Sequence, residues 1–83
     1  MMVRLHPHAK VRLIERGATE QEIVETVEKG EAFPAKFGRQ GFRRNFPYKG
    51  LWRDKYYTTK QIEVYAVKED GDWLVITAIT RYF

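Results

Sequence analysis

Two long alternating stretches joined by a tight turn constrain this chain more than any other feature. From Lys55 to Lys68, Ile62, Val64 and Ala66 alternate with Glu63, Tyr65 and Val67, the period of a strand. Glu69-Asp70-Gly71-Asp72 carries the Asp-Gly signal of a hairpin turn. From Trp73 to Phe83 the chain is apolar on both sides, with Trp73, Val75 and Ile79 on one and Leu74, Ile76 and Ala78 on the other. A strand of that kind is normally central in its sheet. One face of the sheet then needs helices over it, and the other needs a loop or a partner, which hints at a homodimer.

The helices come from the N-terminal third. His6-Pro-His-Ala-Lys-Val-Arg-Leu-Ile-Glu-Arg-Gly17 reads as one: Pro7 suits a first turn, and Gly17 supplies the permissive backbone of a helix end. His8, Arg12 and Arg16 recur every four residues, within about 80° of one helix face. Leu5, Ala9 and Leu13 share that spacing, so the basic stripe borders the core seam instead of opposing it. An imidazole between water and core, flanked by two fixed cations, suits acid–base work on an anion. The plainer reading is two arginines lying over an apolar seam. A second helix follows, with Thr19 as N-cap and Glu22 completing a capping box. Ile23, Val24 and Val27 form its apolar stripe, and Gly30 ends it.

The middle of the chain is β-like and basic. Phe33, Ala35 and Phe37 alternate, and Pro34 marks that run as an edge or a strand start. Gly38-Arg39-Gln40-Gly41 reads as a turn, Phe42 to Phe46 as a strand, and residues 47–55 as an exposed loop. Residues 32–60 hold eight Lys/Arg against the single acid Asp54, and eight of the twelve aromatics. The flanking thirds lack this excess, although the whole chain carries only +4. Cations interleaved with aromatics suit a phosphate backbone with stackable bases. Arg39, Arg43, Arg44, Lys49, Trp52, Arg53 and Lys55 are the candidate nucleic-acid contacts. Lys60 lies in phase with Ile62 and Val64, so it either ends the core at a strand tip or projects into a site.

The sum is an α+β class in the order α-α-β-β-β-β. Two N-terminal helices (1–30) pack on a mostly antiparallel four-stranded sheet (31–83) in one domain of 83 residues. Forty-three per cent hydrophobic residues exclude a disordered chain, and no stretch approaches the roughly 20 apolar residues of a membrane span. With no cysteine there is no disulfide framework or thiolate metal site, in keeping with a cytoplasmic protein. No apolar run follows Met1, so no signal peptide is expected. His6-x-His8 around a proline is a poor metal pair without a third ligand, so no metal or cofactor is expected. No Walker or dinucleotide loop is present, Gly38-x-x-Gly41 is only a weak match to a KH loop, and the chain has no serine.

His8-x-x-x-Arg12-x-x-x-Arg16-Gly17, then Thr19-x-x-x-Ile23, Gly30 and Trp73-Leu74-Val75-Ile76-Thr77 resemble a small prokaryotic family of unknown function. That family looks related to the BrnT and RelE ribonuclease toxins of the barnase–EndoU–colicin–RelE superfamily. The resemblance implies metal-independent RNA cleavage, with a helix histidine and sheet Arg or Lys residues around the scissile phosphate. His8, Arg12, Arg16 and Thr77 match its pattern, whereas Arg43, Arg44 and Lys60 are added from charge and phase alone. On this reading His8 is the general acid or base, and Arg12, Arg16 and Lys60 stabilise the phosphate. RNA is the expected partner, and an antitoxin-like acidic protein stays open as a second. The alternatives are a non-catalytic nucleic-acid- or protein-binding module and a structural homodimer.

Overall fold

The first helix is set at both ends by its own residues. In the computed structural model, which describes residues 2–83, helix α1 runs Pro7–Arg16. His6 is its N-cap: the imidazole Nδ1 accepts from the His8 N–H at 3.2 Å. Gly17 ends it in the left-handed region at φ 75°, where a side chain would be strained. Helix α2, Glu20–Lys29, begins on the full capping box, in which Glu22 N–H donates to Thr19 Oγ1 and Thr19 N–H to Glu22 Oε1. Strand β1 (Val3–Leu5) precedes the helices, and β2 (Glu31–Pro34), β3 (Gln40–Trp52), β4 (Lys55–Glu69) and β5 (Asp72–Tyr82) follow.

The sheet is five-stranded and mixed, in the order β1-β5-β4-β3-β2. The α+β class stands, but the mostly antiparallel four-stranded sheet expected from sequence gains a fifth, edge strand running parallel to β5. Three residues are too few to display a period, and β1 exists because Val3, Arg4 and Leu5 find Trp73, Leu74 and Val75 some seventy positions away. Leu5 therefore belongs to the sheet and not to the α1 seam. β4 is the central strand, and β1 covers β5 only as far as Val75, so the outer edge of β5 is uncovered from Ile76 onward.

Two further boundaries differ from expectation. The turn lies at Lys36–Arg39, with Gln40 and Gly41 already in β3. Residues 47–52 continue β3 instead of forming a loop: Pro47 pairs with Thr59 and, after a register shift, Gly50 to Trp52 pair with 55–57. The β3–β4 hairpin is thus a long arm closed by a turn at Arg53 and Asp54.

A bulge decides which side chains of β5 meet the helices. Tyr65 pairs with Thr77 but Ala66 with Val75, so Ile76 is the extra residue and the alternation shifts phase there. Val75 and Ala78, assigned to opposite faces by simple alternation, both lie in the core. They join Phe42, Ile62, Val64 and Ala66 beneath Ala9 and Leu13 of α1, Ile23 and Val27 of α2, and Ala18 between them. Burying each larger aliphatic of that set contributes about 1.5–3 kcal/mol. Among the described residues no helix is long and apolar enough to cross a membrane.

Candidate nucleic-acid interface

The basic stripe of α1 overhangs the uncovered edge of β5. His8 and Arg12, from the helix, meet Ile76 and Thr77, from the strand, in a cleft of about 420 Å³ that His6 also lines. The His6 and His8 rings stack with centroids 5.4 Å apart and planes 6° from parallel. Because the His6 Nδ1 already accepts the His8 N–H, its free ring nitrogen is Nε2. Neither His8 nor Arg12 has an acidic partner within ion-pair distance among the described residues.

Arg16 lies further along the same edge in a second cleft, of about 390 Å³, with Trp52, Arg53, Ile79, Thr80 and Tyr82. Its guanidinium donates to the outward-facing Ala78 carbonyl, which fixes it against the strand. The Arg16 carbonyl in turn accepts from Thr80 Oγ1 at 2.8 Å and Tyr82 OH at 3.2 Å. Burial, with Tyr48 and Glu22 nearby, pushes the Tyr82 phenol up to about 12. Tyr82 is also the hub of an aromatic cluster: Trp52 stacks on it at 4.7 Å, and Tyr48 meets it edge-on at 5.0 Å. That cluster folds the hairpin arm back over the end of α1 and brings Arg53 beside Arg16.

Lys60 is not in this groove. It is buried, and its ammonium donates to the Gly17 carbonyl and to Glu22 Oε1, both at 2.9 Å. The same Glu22 oxygen closes the α2 capping box, so Lys60 ties the α1–α2 corner to the sheet. Lys60 lies inside β4 and not at its tip, and the helix corner covers its side chain.

The other basic candidates are spread over several surfaces. Arg43 lies on the sheet face away from the helices, where its guanidinium donates to Glu63 Oε2 at 3.0 Å and approaches Glu31 at 3.9 Å. Arg81 pairs with the other oxygen of Glu63, whose carboxylate is buried between the two arginines. Arg44 is on the opposite face, 3.9 Å from Glu25 of α2 and over the Phe46 ring. Arg39 lines a separate cavity at the β2–β3 turn. Lys49, Trp52, Arg53 and Lys55 sit on the arm, with Arg53 over the Trp52 ring and Lys55 over Tyr57.

The groove along α1 and β5 is two neighbouring clefts, one holding His8, Arg12 and Thr77 and the other Arg16, Trp52 and Arg53. His6, Ile76 and Tyr82 also line it and were not singled out from sequence. His6 had a usable signal, since it precedes an N1 proline and must cap the helix that carries His8. Tyr82 had none, because its partners come from three different elements. No protein-family model matches this chain, and neither does any curated protein or solved structure at a significant level.

Proposed function

We propose that this domain binds RNA along the α1–β5 groove and cleaves it there without a metal, in the manner of the BrnT- and RelE-like ribonucleases that its sequence resembles. The observation that carries the reading is the meeting of His8 and Arg12 with Thr77 in one cleft, beside an uncovered strand edge. In such a reaction the 2′-OH attacks the adjacent phosphorus, the bond to the 5′-oxygen breaks, and a 2′,3′-cyclic phosphate remains. His8 carries one of the two proton transfers. The stacked His6 lies on the same side and does not stand opposite for an in-line displacement, so water serves the other. Arg12 neutralises the non-bridging oxygens and the charge that grows on them.

One observation favours the non-catalytic binding module instead: among the described residues lining the His8 cleft, the one other acid or base is His6, which stacks on His8 and does not face it. The experiment compares wild type, His8→Ala and Arg12→Ala for cleavage and for binding of a generic single-stranded RNA. His8→Ala is expected to lower the cleavage rate by about 10²–10⁴-fold while keeping most of the binding. Arg12→Ala is expected to weaken both, and wild-type cleavage continues in EDTA. Wild type that binds RNA but never cuts it across about pH 5–9 replaces the enzyme with the binding module. No binding even at low salt removes the RNA reading altogether.

A further inference from the structure

The turn between β2 and β3 is built against its own stability. Phe37 and Gly38 both have positive φ, 61° and 69°, and the Arg39 N–H donates to the Lys36 carbonyl at 3.3 Å. Two such residues at the centre of a hairpin turn are the signature of type I′, whose first position favours Asn, Asp or Gly. Here it holds a phenylalanine that is 87% exposed, the most accessible large apolar side chain among the described residues. Neither backbone preference nor burial accounts for that choice.

Beside Phe37 lies a cavity of about 530 Å³, within the ~300–1,000 Å³ typical of small-molecule sites. Its floor holds Phe33, Tyr65 and Thr77, members with Gly41 of one cross-strand row over four strands on the face away from the helices. The Phe33 and Tyr65 rings meet edge to face, with centroids 6.0 Å apart. Gly41 makes this possible, because a Cβ there would stand 2.3 Å from the Phe33 ring. Lys36 and Arg39 rim the opening, no acidic residue lines it, and neither cation has an ion-pair partner among the described residues.

We infer that this cavity binds a nucleotide: an aromatic ring held against the Phe33–Tyr65 wall beneath Phe37, with its phosphate on Lys36 and Arg39. Flat π-faces suit three aromatic walls, and a phosphate suits a rim of two unpaired cations. The site borders the groove through Thr77, which lines both, but none of its ring or phosphate contacts comes from α1. The same chemistry is presented by a free mononucleotide and by one nucleotide of an RNA strand.

The test follows the backbone amide signals of the full chain by NMR while AMP, adenosine, inorganic phosphate or a short single-stranded oligonucleotide is added. AMP is expected to shift the amides of residues 36–41 and Tyr65 saturably, with adenosine about tenfold weaker and phosphate alone weaker still. Phe37→Ala, at an exposed position, is expected to lose about tenfold in AMP affinity with an unchanged melting temperature. A Lys36→Gln, Arg39→Gln double variant is expected to bind AMP no better than adenosine. Arg12→Ala in the groove leaves AMP binding as it was, which separates this site from the cleavage proposal. If the oligonucleotide displaces AMP, the base comes from a strand; if it does not, the ligand is the free nucleotide. Shifts that fall elsewhere, equal affinity for AMP and adenosine, or a Phe37→Ala variant that binds like wild type each overturn the assignment.

Discussion

Lys60 shows how one residue's role depends on what is folded over it. A lysine on the core face of a strand is costly to bury unless its charge and all its donors find partners. Here the Gly17 carbonyl and Glu22 supply them, and the Tyr48 ring lies 5.6 Å from the ammonium. Lys60→Met is accordingly expected to destabilise the domain by about 1–3 kcal/mol, because it strands a carbonyl and a half-buried carboxylate. Urea unfolding measures this. A variant as stable as wild type but unable to cleave RNA returns Lys60 to the site.

At the scale of elements, the joint that matters is the one made at Tyr82. Its ring holds the hairpin arm through Trp52, Tyr48 and Tyr57, and its hydroxyl holds the last turn of α1 through the Arg16 carbonyl. Gly17 is the third part of that joint, since a Cβ there would stand 2.7 Å from Trp52 and 2.5 Å from the Tyr82 hydroxyl. The phenol is raised in the fold to about 12, against an ordinary value of 10.0, so its contribution to stability is complete below pH 10. As pH climbs from about 10 to about 12 the unfolded chain's phenol ionises while the native one does not, and that contribution is lost. Tyr82→Phe removes both the hydroxyl and this dependence. Below pH 10 the variant is expected to be less stable by about 0.5–1.5 kcal/mol, with the gap narrowing toward pH 12. Urea unfolding of both proteins across that range checks it, and a gap that does not depend on pH contradicts it.

Across the whole molecule, the basic middle segment is divided and not concentrated. Arg43, Arg44 and Lys60 are each matched by a glutamate, Lys36 and Arg39 face the turn cavity, and only the arm adds cations toward the α1 groove. Under the proposed function, RNA held in the groove would meet few phosphate contacts, chiefly Arg12, Arg16 and Arg53. Each contact contributes about 0.7 to the salt slope for a single strand, so a slope near −2 is expected. Arg53→Gln is expected to flatten it by about 0.7, whereas Arg43→Gln leaves it unchanged, being on the other face. Titrations at several salt concentrations decide between this and a diffuse patch, for which both substitutions flatten the slope equally.

What the sequence determined by itself is whatever depends on near neighbours. Pro7 and Gly17 bounded α1, the Thr19–Glu22 box began α2, and the Asp70-Gly71 pair placed the last hairpin, because caps and turns are bonds within a few positions. The register of His8 and Arg12 on one helix face was legible for the same reason. Tertiary structure alone decided the rest. β1 has no signal of its own and exists only as a partner for β5, and residues 47–52 are strand because they pair with 55–59, an arm that the Trp52–Tyr82 stack holds to the body. The bulge at Ile76 reversed the faces of β5, since in a strand of period two a slip of one residue moves every later side chain to the other side. Which cations stay free was settled the same way, by glutamates brought from distant positions in the chain: Glu22 to Lys60, Glu25 to Arg44 and Glu63 to Arg43.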